Sequence, residues 1–71
     1  MRLGIELDRE SDGRWIAEVV DLPGGVLVYG ATRDEALAGA QALALRVVAD
    51  RIEHGETSSA PLDLSFVVNA A

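Results

Sequence analysis

The sequence predicts a small α+β domain of order β-β-β-α-β: an antiparallel meander of three strands, then one long helix packed on the sheet, then a fourth strand. Three observations predict it. Apolar and polar residues alternate over Arg2 to Asp8 and again from Leu62 to Asn69, the period of half-buried strands. Asp12-Gly13 and Asp21-Leu22-Pro23-Gly24-Gly25 punctuate the first thirty residues into strand-length pieces. Thr32 stands three residues before Glu35 at the head of an Ala/Leu-rich run of helical length.

In the first strand Leu3, Ile5 and Leu7 point one way, and Arg2, Gly4, Glu6 and Asp8 the other. Arg9 to Gly13 is a charged turn, so Trp15 to Val20 returns antiparallel as the second strand. Pro23 cannot donate to a ladder, and Gly24 and Gly25 accept positive φ, so the chain turns again before a short third strand, Val26 to Tyr29. After Gly30-Ala31 comes a capping box. The Thr32 oxygen accepts the Glu35 amide proton while the Glu35 side chain reaches back, and Asp34 and Glu35 complement the helix dipole. The helix runs to about Glu53 and stops at His54-Gly55, where glycine can adopt the left-handed conformation. Gly55 to Pro61 reads as a loop. In the fourth strand Leu62, Leu64, Phe66 and Val68 alternate with Asp63, Ser65, Val67 and Asn69. The helical crossover lets this strand lie parallel to the first and beside it. Residues 1–71 are expected to make a single domain, with no DNA-binding segment expected among them.

Composition narrows the function. A 71-residue chain is marginal alone and needs a staple. With no cysteine and one histidine, disulfides and Cys/His metal clusters are excluded, which leaves oligomerisation. Net charge is −6, from 12 acidic and 6 basic residues, a balance that repels phosphate backbones and suits a basic protein partner. We therefore expect no direct nucleic-acid binding. No apolar run approaches the ~18 residues of a membrane span, and the N-terminus has no signal-peptide core, so a cytoplasmic location is expected.

The apolar content, 49% of residues, exceeds what one helix on one sheet can hide. On a helical wheel Ala36, Leu37, Ala40, Leu43, Ala44, Val47 and Val48 form the face that covers the sheet. Ala38, Leu45, Ala49 and Ile52 extend the apolar arc to roughly two-thirds of the circumference, when a surface helix needs a stripe of about 100°. The second strand is apolar on both faces, and the third has no polar face. Such surplus marks interaction surfaces, with Leu45 and Ile52 the exposed candidates on the helix. The chain is expected to bind itself as a homodimer or higher oligomer.

Catalysis finds little support. Ser-His chemistry would have to use His54, which sits at a helix end and more naturally caps carbonyls. Glu6, Asp8 and Asp63 share an outer sheet face and could in principle gather around Mg²⁺, but alternation alone also places carboxylates there. The glycines form no phosphate loop. No catalytic residue, cofactor or metal site is assigned, and the chain is not expected to be an enzyme.

Trp15-Ile16-Ala17-Glu18-Val19-Val20-Asp21-Leu22-Pro23-Gly24 resembles the aromatic-x-A-x-V-x-D-L-P-G segment of HicB-type antitoxins. Gly30-Ala31-Thr32-Arg33-Asp34-Glu35-Ala36 is similar to that family's G-x-T-x-x-E-A helix start. The resemblance runs from about Ile5 to Ile52. It implies a partial ribonuclease-H-like fold without nuclease activity, with Asp21, Leu22, Pro23, Gly24, Gly30, Thr32 and Glu35 as its structural motif. It also implies neutralisation of a small basic HicA-type toxin, an mRNA-cleaving ribonuclease, by direct binding. Glu6, Asp8 and Glu18, joined by Glu10, Asp12 and Asp21, would supply the acidic surface that steers such a toxin. Gly25 stands where many relatives carry cysteine. The alternative is a solitary homo-oligomeric HicB-like domain with another regulatory binding role.

Overall fold

A computed structural model of the chain describes residues 1–22, 24–55 and 61–70. It contains β1 (Arg2–Arg9), β2 (Trp15–Val19), β3 (Val26–Gly30), α1 (Arg33–Glu53) and β4 (Ser65–Ala70), in the expected order. The four strands form one sheet, β3-β2-β1-β4, with β1 and β2 antiparallel, β2 and β3 antiparallel, and β4 parallel to β1.

The β1–β2 hairpin closes with a three-residue loop. The Glu10 amide donates to the Arg14 carbonyl at 2.7 Å, and the Gly13 amide to the Glu10 carbonyl at 2.9 Å. Gly13 has φ +92°, which its lack of a Cβ permits. This closure pairs Leu7 with Ala17 and Ile5 with Val19, so the inward residues of both strands share a face. At the other end the Asp21 carboxylate accepts the Gly4 amide at 2.6 Å, prolonging the ladder through a side chain. Leu22 is buried, and the Gly25 amide returns to its carbonyl at 3.1 Å. The Asp21-Leu22 turn therefore pins the meander; Pro23 of the same motif lies outside the described residues.

Thr32 caps α1 as expected: its Oγ1 accepts the Glu35 amide at 3.1 Å. The Glu35 carboxylate reaches back to the Ala31 amide at 3.1 Å, one residue beyond the cap itself. At the far end Gly55 has φ +70° and donates to the Ile52 carbonyl at 3.2 Å.

The core consists of Leu3, Ile5 and Leu7 from β1, Ala17 and Val19 from β2, Val26, Leu22, and the helix row Ala36, Ala40, Ala44 and Val48. That row has an i, i+4 spacing and small side chains, so the helix sits very close to the sheet. A Cβ on Gly30 would fall 2.5 Å from the Ala36 backbone nitrogen, and one on Gly39 2.7 Å from Val28 Cγ1. α1 packs mainly over β3 and β2, touches β1 little and hardly reaches β4.

Three expectations need correction. Leu43 does not join the covered face: it is 36% exposed, because the alanine row brings the helix down on a narrower line than the wheel allows. Leu37 and Val47 only flank the core. The fourth strand begins at Ser65 and not at Leu62, since Ser65 already pairs with Arg2 and its amide donates to the Met1 carbonyl, where the β1 ladder runs out. Asp63 consequently leaves the sheet's outer face and lies at the Met1 end, its carbonyl accepting from the terminal amine.

Candidate protein-binding surfaces

The face of the sheet turned away from α1 is built by the strand registers. Its central row runs Leu27, Glu18, Glu6, Asn69 across the four strands. On one side of it lies Tyr29, Ile16, Asp8; on the other Val20, Gly4, Val67. Glu6 and Glu18 are direct cross-strand partners. Both are exposed, and among the described residues neither forms an ion pair. Like charges placed directly opposite are destabilising, so the pair repels across the β1–β2 ladder.

Apolar side chains surround the two carboxylates. Leu27 is 50% exposed and Tyr29 48%; Val20 is exposed, Ile16 and Val67 half-buried. Gly4 lies in the same face, where its missing side chain makes room for Asn69 and Asp21: a Cβ there would lie 3.2 Å from each. The Arg14 guanidinium stacks over the Tyr29 ring at 4.7 Å and pairs with Asp12 at 2.8 Å, so the hairpin loop closes one end of the patch. The backbone amide of Arg14, donating to Asp12, together with the guanidinium, holds the Asp12 carboxyl below its ordinary value. The arrangement is a shelf of aliphatic and aromatic surface around a negative centre, suited to a cationic side chain with an apolar stem.

The helix carries a second surface. Leu45 and Ile52, the candidates on the helix, are 48% and 47% exposed on the side away from the sheet. Ala38, Ala42 and Ala49 are exposed beside them.

The structure brings some candidate residues together and separates others. Glu6, Asp8 and Glu18 share the outer face of β1 and β2. Asp21 is occupied as the acceptor for Gly4, and Leu22, Gly30, Thr32 and Glu35 serve the turn and the helix start. Asp63 is six and eight strand positions from Glu6 and Asp8, roughly 20 and 26 Å along the sheet, so the imagined Mg²⁺ cluster does not form. Among the described residues no group of three His, Asp or Glu could hold a metal ion. His54 Nδ1 lies 2.7 Å from the Asp50 carbonyl and 3.3 Å from its carboxylate, at the exposed helix end. No helix among the described residues is long and apolar enough to cross a membrane.

Sequence reasoning did not name Ile16, Leu27, Tyr29 and Val67 as site residues, nor the opposition of Glu6 and Glu18. Both follow from register, which the hairpin loop sets. The chain matches no protein-family model, no curated protein and no solved structure.

Proposed function

We propose that this chain is a protein-binding module that docks a small basic protein on the outer face of its sheet, in the manner implied by its resemblance to HicB-type antitoxins. The observation that carries the reading is the Glu6–Glu18 pair, two directly opposed carboxylates without a counter-ion among the described residues, set in exposed apolar surface. A lysine or arginine from a partner would offset the repulsion between the two carboxylates while its stem and neighbours cover Leu27, Tyr29 and Ile16. Charge would govern the encounter and apolar burial the residence time. For an mRNA-cleaving toxin of the HicA type, the same carboxylates would compete with RNA phosphates for the basic surface. Asp8, in the adjoining row, extends the negative field. The partial ribonuclease-H-like fold and a cytoplasmic setting belong to this reading.

The test is co-expression with the small Lys/Arg-rich product of an adjacent reading frame, followed by amide-shift mapping and an RNA-cleavage assay. Shifts should concentrate on β1, β2 and β3, cleavage should stop, and both effects should weaken in Glu6→Gln/Glu18→Gln. Binding that leaves the sheet face unperturbed, or no binding at low salt, would overturn the proposal. The alternative, a homo-oligomeric domain with another regulatory role, is favoured by the exposed helix stripe.

A further inference from the structure

Ala38, Ala42, Leu45, Ala49 and Ile52 recur at steps of four, three, four and three, and all five are exposed. They cover an arc of roughly 80° on the side of α1 away from the buried alanine row. Steps of 3.5 on average are those of a coiled-coil seam, and the stripe runs for two heptads, so a second helix can lie along it.

We propose that the stripe is the contact between two copies of this chain, with their α1 helices antiparallel about a two-fold axis at the level of Val47. In that register Ala42 faces Ile52 of the second copy, and Leu45 faces its Ala49. The same two layers repeat on the other side of the axis. From Ala42 to Ile52 every layer then joins one small and one large side chain, so this stretch of the stripe is complementary to itself, as an isologous contact requires.

The flanking charges agree. Helical side chains lean toward their own N-terminus. Across an antiparallel seam Arg46 therefore leans toward Asp50 and Glu53 of the second copy, while the two Arg46 side chains diverge. Arg46 is exposed and makes no ion pair among the described residues. The sheet face offers no comparable self-match, because a two-fold contact there would bring both copies' Glu6–Glu18 pairs together.

The seam from Ala42 to Ile52 is about 15 Å long, which places it among small, transient interfaces, so weak self-association is expected. This inference deepens the self-association reading and does not depend on a toxin.

Sedimentation equilibrium up to about 1 mM should show a monomer–dimer equilibrium, weakened at least about tenfold in Leu45→Glu/Ile52→Glu, whose sites are exposed and leave the core intact. Because the chain has no cysteine, orientation can be read directly. An Ala42→Cys/Ile52→Cys variant should oxidise to a covalent dimer, since these positions face each other between copies but lie ~15 Å apart within one helix. Ala38→Cys should not, its two copies being ~27 Å apart. A dimer unaffected by the glutamates would overturn the seam while leaving self-association standing. Covalent dimers of Ala38→Cys would overturn the antiparallel register. A monomer at every concentration would overturn both the seam and the self-association reading.

Discussion

Replacing Glu18 by glutamine should make the isolated protein more stable and a poorer binder. Glu6 and Glu18 occupy a hydrogen-bonded pair of the β1–β2 ladder, as the Val20 to Gly4 and Glu10 to Arg14 bonds two and four positions away in the ladder indicate. Their Cα atoms are then ~5.5 Å apart and their carboxylates on the order of 6 Å. Two unit charges at ~6 Å repel by about 0.7 kcal/mol in bulk water, and a Debye length of ~10 Å at 0.1 M salt lowers this to about 0.4 kcal/mol. That falls inside the ~0.2–1 kcal/mol spanned by cross-strand pairs. Glu18→Gln should therefore gain about 0.4 kcal/mol, or roughly 2–3 °C in Tm for a domain of this size.

Urea denaturation at low and high salt is the assay. The gain should shrink to under about 0.1 kcal/mol near 1 M salt, where the Debye length is ~3 Å. Glu6→Gln should give a similar gain, and the double variant no more than either single one, because one removal already abolishes the repulsion. A gain independent of salt, or full additivity, would refute the electrostatic account. Loss of stability would mean that the pair supports the fold and is not held in reserve for a partner.

Three further outcomes follow from the geometry. Gly39→Ala sets a helix-propensity gain of about 1 kcal/mol against an overpacking cost of ~1–3 kcal/mol at Val28 Cγ1. It should destabilise in the native background and stabilise in Val28→Ala; a gain in both, read by urea midpoints, would mean the helix can move away freely. Thr32→Ala should cost about 1 kcal/mol and speed hydrogen exchange at Glu35, whose amide it leaves without its cap; unchanged exchange would contradict the capping geometry. Asp12, with its carboxyl held low chiefly by the Arg14 amide, should titrate at lower pH folded than in urea. Its contribution is present above the unfolded value and is lost as pH falls through the folded one. Equal midpoints by carboxyl NMR would contradict the hydrogen bonds seen in the loop.

Much of the fold was legible because local chemistry and periodicity agree. Thr32 and Glu35 mark the helix start, Gly55 its end, and the alternation around Ile5 fixes which face of β1 is inward. Even the register was within reach. If Leu7 and Ala17 are both inward, a two-residue turn at Asp12-Gly13 is impossible, because it would set Leu7 against Glu18. That parity requires an odd-numbered loop; the three-residue loop Ser11 to Gly13 satisfies it and sets Glu6 opposite Glu18. What periodicity could not supply is how closely α1 approaches the sheet. That distance depends on Gly39 meeting Val28 and Gly30 meeting Ala36, contacts across the β3–α1 connection that apolar spacing does not encode. It decides that Leu43 remains outside and that only the alanine row and Val48 are fully buried on α1. The start of β4 was hidden for a similar reason: Leu62 continues the alternation but has no β1 residue to pair with.

The closeness of helix and sheet also bears on binding. Small residues on the inner face of α1 leave leucine and isoleucine on the outer face, where they cannot contribute to the core. On the sheet, β1 offers Glu6 and Asp8 to the outside while β2 and β3 offer Ile16, Leu27 and Tyr29. The two outer faces differ in kind: one is a narrow neutral seam complementary to itself, the other a wider shelf whose negative centre resists a second copy. On this reasoning they take different occupants and can be filled at once, a dimer joined through its helices turning two acidic sheets outward. Such an assembly would carry two partner sites related by the same axis, so partner binding and self-association should not compete. Titrating the basic partner into the chain should then give a 2:2 complex whose formation is unaffected by disulfide closure of the helix seam. A complex that releases the second copy as the partner binds would show that both contacts claim one surface.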